Sequence, residues 1–183
     1  MGIIRRTSAI IVIVTFVMLL WLWRPSVSLP ATEIQDPQVE TLKSLKGVWV
    51  FVGVSSGAKN AGVTKDQIKT DVELRLRKAG IKIFSTSEES RRTPGAPFLY
   101  VNIDIIKLTN DLYSYAVYLD LLQLAILHRD AILPIINWES TNRVTTWTTG
   151  YGIRTARSIN SIRESLADDV DKFSNDFLSI NSK

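Results

Sequence analysis

The sequence predicts an α+β domain, in which two helices lie on one face of a mixed, mostly antiparallel sheet in the order β-α-β-β-β-β-α. Three observations predict this class. Residues 48–54 are a short β-rich run, residues 98–108 and 112–127 show the alternation of a hairpin, and two segments repeat apolar residues at helical spacing.

The first half of the domain is predicted to be a β-α-β unit over residues 48–84. Residues 48–54 are apolar on both faces, which favours a central strand covered on both sides. Thr64 and Gln67 form a capping box that begins a helix, and Gly80 ends it where a left-handed residue is favoured. Residues 81–84 follow that glycine directly and are predicted to be the second strand.

The second half is predicted to be a hairpin, a further strand and a long helix. The end of the second hairpin strand, residues 119–129, has a helical alternative, but no cap precedes it, so a strand is favoured. Residues 130–140 are predicted to be a loop and the threonine-rich residues 142–149 the last strand. The long helix follows over residues 158–178 and has a single apolar face.

Residues 1–28 are predicted to be a cleaved signal peptide. Arg5 and Arg6 precede an apolar run over residues 9–23, and small residues then favour cleavage before Leu29. An uncleaved membrane anchor is the alternative, because tryptophans near the end of the run are typical of a membrane interface. Either interpretation predicts an exported protein that is periplasmic, secreted or tethered to the inner membrane with its C-terminal domain outside.

The remainder of the chain divides into residues 29–46, a polar tether or loosely packed entry segment, and a single α+β domain over residues 47–183. The formal net charge is +4, but residues 1–28 contain three arginines and no acid, so about +1 remains without them. This near-neutral balance argues against nucleic-acid binding.

No catalytic or cofactor site is expected. The chain has no cysteine, which excludes disulfides, thiolate ligands and cysteine nucleophiles. His128 is the sole histidine and is assigned to the end of a strand. Asp104 and Asp120 are candidates for a carboxylate pair across the hairpin, although two acids on a solvated sheet face are common.

The charges of the last helix oppose its dipole. Arg154, Arg157 and Arg163 crowd its start, and four aspartates populate its second half. If the two helices run parallel, the basic end of the first lies beside these acids. That arrangement leaves the arginines unexplained, so we expect either an anionic partner or plain solvent exposure.

Two binding surfaces are predicted. The first is a ligand-binding turn formed by Gly150, Tyr151, Gly152, Arg154 and Arg157, for which the alternative is a purely structural corner between strand and helix. The second is an exposed sheet edge or an aromatic set. The members of that set are Trp138, Trp147 and Tyr151, of which Trp147 is the strongest candidate for the core.

Four segments carry a resemblance to known proteins: residues 71–83, 97–103, 145–150 and 168–181. Their pattern resembles a group of small exported bacterial proteins of uncharacterised function, which implies the fold and export but no chemistry. The order of elements is also similar to the amino-terminal domain of TolB and to related envelope lipoprotein domains, which are interaction modules. Together, these features predict a non-enzymatic envelope protein that binds another protein or macromolecule and uses no cofactor. Small-ligand or anion binding at the turn is the alternative.

Overall fold

The computed structural model describes residues 36–125, 143–150 and 152–182. All of them belong to one compact unit. In chain order the elements are α1 Pro37–Glu40, β1 Trp49–Val54, α2 Ser56–Asn60, α3 Lys65–Lys78, α4 Ser87–Arg91, β2 Phe98–Lys107, β3 Tyr113–Leu124, β4 Arg143–Thr149, β5 Arg154–Ala156 and α5 Ile159–Asn181.

The strands form one mixed sheet. Its order is β1-β2-β3-β4, and β5 pairs with the start of β3. β1 runs parallel to β2, and the other pairings are antiparallel. The predicted α+β class with a mixed, mostly antiparallel sheet is therefore confirmed.

The two long helices pack on one face of the sheet. Alternate residues of β1 and β2, such as Val50, Val52 and Val101, are buried in one core together with Val72 of α3 and Val170 of α5. Because successive strand residues point to opposite faces, the residues between them face away from the helices.

The predicted second strand is absent as a strand. Within residues 81–84, Ile83 makes only an isolated parallel bridge with Val48, and the parallel neighbour of β1 is β2 instead. The prediction that β1 is a central strand is also wrong, since β1 stands at the end of the sheet order. The two faces of β1 are apolar for different reasons: one packs under the helices, and the other carries aromatic rings.

The hairpin and both long helices occur where they were predicted. Thr64 caps α3, and its hydroxyl accepts from the Gln67 amide at 3.3 Å. Ser158 caps α5. The strand favoured for the end of the hairpin is present as far as Leu124. β5 is a short strand that was not predicted. The predicted loop at 130–140 lies outside the described residues.

Residues 36–46 pack into the domain, so the described part of the predicted tether is not a free linker. Leu42 has no exposed surface. Gln38 accepts from the Thr148 amide at 2.9 Å, and the Thr41 hydroxyl donates to the Thr146 carbonyl at 3.1 Å. These bonds occupy the outer edge of β4, which would otherwise present unpaired backbone groups.

The predicted signal peptide or anchor lies outside the described residues. Over the ranges that are described, no helix combines the length and apolar character needed to cross a membrane.

Candidate functional site

The predicted turn connects β4 to α5 through two glycines and β5. Gly150 has φ +84°, and a Cβ there would lie 2.4 Å from the Val117 carbonyl oxygen. Only glycine fits this position without displacing the β3 backbone. Gly152 has φ +153° and open space around it. Tyr151 lies outside the described residues.

Arg154 lies half-buried against α5. It belongs to β5, its guanidinium donates to the Ser165 hydroxyl, and one of its nitrogens lies 4.0 Å from Asp169 Oδ2. Arg157 is exposed, and in the described parts of the chain no ion pair includes it. The structure thus brings Arg154 to a carboxylate on α5 and leaves Arg157 on the surface.

Asp169 is the unusual group at this turn. Its residue is only 7% exposed, and within the described chain no donor bonds to Oδ2. Burial raises the pKa of the Asp169 carboxyl, against the lowering effects of the Arg154 charge and of a hydrogen bond from Thr149. An external anion at Arg154 would have to compete with this internal carboxylate. Ligand binding at the turn stays a prediction.

Ion pairs between the helices account for two of the opposed charges, Arg163 and Asp171. Asp71 in the middle of α3 accepts from Arg163 Nε at 3.1 Å, and Arg75 in its last turn pairs with Asp171 at 3.0 Å. The pairs follow the same order along both helices, so the helices run parallel. This confirms that the basic end of the first helix lies beside the acids of the second, and it also gives Arg163 a partner.

The predicted carboxylate pair does not form. In the hairpin register Asp104 lies opposite Ala116, whereas Asp120 lies opposite Tyr100. The Thr148 hydroxyl donates to Asp120 at 2.5 Å. Among the described residues, no three side chains of the metal-binding types lie close enough to hold a metal ion.

Of the predicted aromatic set, the structure describes Trp147, and this residue is buried. Trp147 is 1% exposed, its ring packs edge-on against Phe173 at 4.9 Å, and its indole N–H donates to Asp176 at 2.9 Å. Trp147 therefore belongs to the core, which is the alternative that the sequence predicted for this residue. Trp138 and Tyr151, like His128, lie outside the described residues.

A different group of rings occupies the sheet face away from the helices. Trp49 lies opposite Phe98 in the register, and Phe51 lies opposite Tyr100. We call these four residues the aromatic face. Their ring centroids are 5.3 to 6.3 Å apart in a continuous patch, in which Phe51 is 41% exposed. Four aromatic rings on one side of two neighbouring strands form a contiguous platform.

Polar side chains continue this face along β2. The Tyr100 hydroxyl donates to Asn102 Oδ1 at 3.1 Å, and Asn102 Nδ2 donates to Asp104 Oδ2 at 2.8 Å. Asn102 is 8% exposed and Asp104 is exposed. A Cβ on Gly53 would lie 2.6 Å from both Asn102 Oδ1 and the Tyr100 hydroxyl, so the glycine makes room for this chain of hydrogen bonds.

Two cations lie over the rings. The Lys65 ammonium is 5.6 Å from the Phe51 centroid, and the Arg143 guanidinium carbon is 5.6 Å from the Phe98 centroid. Arg143 also donates to the Ala96 carbonyl at 2.8 Å, which fixes it beside the face. Cations at this distance are attracted by the electron-rich faces of the rings.

The aromatic face was not predicted, although the sequence contains a signal for it. Trp49 and Phe51 share one parity in β1, and Phe98 and Tyr100 share one parity in β2, while aliphatic residues hold the other parity. That segregation separates an aromatic face from an aliphatic face within each strand.

The comparisons with known proteins identify no family. No family model matches the chain, and no curated protein matches it. Among solved structures, the chain is similar to a minor lipoprotein from Acinetobacter baumannii, whose crystal structure was determined at 2.35 Å. The TM-score is 0.32 and the identity 8%, over 73% of this chain and 93% of that one. A likeness this slight carries no conclusion about fold or function, so the resemblance to exported proteins rests on sequence pattern.

Proposed function

We propose that this protein is a non-enzymatic binding module of the cell envelope and that the aromatic face is its binding surface. The observation that carries the proposal is the continuous platform of four rings on the sheet face away from the helices. Large aromatic side chains dominate the energetics of binding surfaces because they bury much area and lose little conformational entropy.

Two further features support this proposal. The leader predicts export, which supports a role in the cell envelope. The aromatic face is also held in a fixed geometry, because Asn102 is buried under Tyr100 and its amide is hydrogen-bonded on both sides. A preformed surface loses less freedom on binding than a flexible one.

The test compares capture of an envelope component by full-length protein and by two variants. Phe51→Ala removes the most exposed ring of the face, and we expect capture to weaken by about tenfold or more. Leu74→Ala is the matched control, because Leu74 is 49% exposed but belongs to α3 in the helix layer. Circular dichroism establishes that both variants fold. Capture that survives Phe51→Ala and fails with Leu74→Ala would place the binding surface on the helices.

A further inference from the structure

We infer that the aromatic face binds an uncharged carbohydrate chain. This inference rests on the proposed function and names the chemical class of its ligand. The face is a strip along β2, with rings at one end and hydrogen-bonding groups at the other. At about 3.3 Å per strand residue, the distance from Phe98 to Asp104 is about 20 Å, long enough for several sugar rings.

The ring end suits the apolar faces of sugars. A pyranose presents C–H groups whose hydrogens are slightly positive because each carbon also bonds to oxygen. The face of an aromatic ring is slightly negative, so such C–H groups are attracted to it. Phe51 offers the most exposed ring of the four, and Tyr100 stacks beside it at an interplanar angle of 28°.

The polar end suits sugar hydroxyls, which both donate and accept hydrogen bonds. Asp104 uses Oδ2 to accept from Asn102 and, among the described residues, no donor is bonded to Oδ1. The Tyr100 oxygen donates to Asn102 and retains lone pairs that accept. The exposed Asp104 carboxylate and the Tyr100 oxygen are held in one row by Asn102, and both can accept hydrogen bonds from sugar hydroxyls.

The charges of the face favour a neutral ligand. Lys65 and Arg143 flank the rings, and the exposed Asp104 follows along the same face, so the charges at the described part of this surface are mixed in sign. A nucleic acid needs a persistent excess of cations for its phosphates, and here a carboxylate opposes them. A stable protein partner needs about 800 Å² per side with a core depleted of charge, whereas charged groups adjoin the rings at both ends.

The experiment is calorimetric titration of the full-length protein in mild detergent with two neutral probes, cellohexaose and chitohexaose, and with a polyuronate as the charged counterpart. We expect at least one neutral probe to bind and the polyuronate to bind more weakly. Phe51→Ala and Asp104→Ala should each weaken binding by about tenfold, as expected for the loss of one stacking or one hydrogen-bonding contact. Leu74→Ala should leave binding unchanged.

Three results would overturn the inference: no binding of either neutral probe, equal binding by Phe51→Ala, or preference for the polyuronate. Because Asp104 is exposed, Asp104→Ala retains the fold and gives an answer even if Phe51→Ala misfolds. If no sugar binds but Phe51→Ala still abolishes capture of an envelope protein, the carbohydrate inference fails while the proposed function stands. If capture is indifferent to Phe51→Ala, the proposed function itself fails.

Discussion

At the scale of single residues, Gly150 and Asp169 define the corner between the sheet and α5. The Gly150 backbone lies so close to β3 and α5 that an ideal Cβ would be 2.4 Å from the Val117 oxygen and 2.8 Å from Asp169 Oδ2. The glycines that first suggested a phosphate loop therefore have a packing explanation, at least at position 150.

Gly150→Ala should lower the free energy of unfolding by more than about 1 kcal/mol, because it adds a clash to the strain of a positive φ. Gly62→Ala is the matched control, since Gly62 has φ +87° and nothing within 4 Å of its Cβ position. Urea denaturation measures both variants. Equal costs at the two positions would show that the backbone strain alone matters and that the close approach to Val117 does not.

Asp169→Asn should stabilise the protein at neutral pH. Burial raises the pKa of Asp169 in the folded state. Between the Asp169 pKa of the unfolded state and that of the folded state, the folded protein binds more protons, so the free energy of unfolding falls as pH rises through this window. Above the folded pKa the full cost of burying the charged carboxylate remains. We expect the variant to have the higher melting temperature at pH 7 and the difference to vanish in acid.

Thermal melts over a pH series check this expectation, with Asp168→Asn as the control on the exposed side of the same helix. The expectation is contradicted if the wild-type protein is more stable than Asp169→Asn at neutral pH. That result would mean that the attraction of Arg154 outweighs the burial of the carboxylate.

At the scale of elements, the segment before β1 is part of the fold. Leu42 is completely buried, and the Asn181 side chain donates to the Leu42 carbonyl at 2.9 Å. The segment also covers the edge of β4 through Gln38 and Thr41. The polar composition and the proline of this segment predict a tether. Its packing could not be predicted, because one buried leucine in a polar stretch gives no periodic signal.

Leu42→Ala should lower the free energy of unfolding by about 2–5 kcal/mol, the usual cost of a large-to-small change in a core. Lys43→Ala, at the exposed neighbouring position, should change it by less than about 0.5 kcal/mol. Denaturant unfolding of the full chain measures both. If the two substitutions cost the same small amount, residues 36–46 behave as the predicted tether in solution.

Local signals were sufficient for the elements that carry them. The cap at Thr64, the cap at Ser158 and the alternation of the hairpin each predicted a helix or strand that the structure contains. They were insufficient where strands compete for one partner. The backbone of β1 pairs with β2, and residues 81–84 contact this end of the sheet only through the bridge between Ile83 and Val48. Tertiary packing decides which segment pairs with β1, and local sequence does not report it.

At the scale of the whole molecule, the two faces of the sheet have different roles. The helices bury the aliphatic face, and exposed ion pairs link the two helices, which run parallel. The opposite face carries the rings and the hydrogen-bonded row from Tyr100 to Asp104. The sequence predicted the layer of helices well because amphipathic periodicity reports burial directly. It did not predict the aromatic face, because hydropathy alone does not distinguish an exposed ring from a buried one.

The central claim is that the protein binds its partner through the aromatic face, and site-specific photo-crosslinking in intact cells tests it most directly. A photoreactive phenylalanine analogue replaces Phe51 in one strain and Leu74 in another. Both side chains are exposed, but they lie on opposite sides of the sheet. The account predicts a covalent adduct from position 51 and none from position 74. An adduct from position 74 with none from position 51 would contradict it.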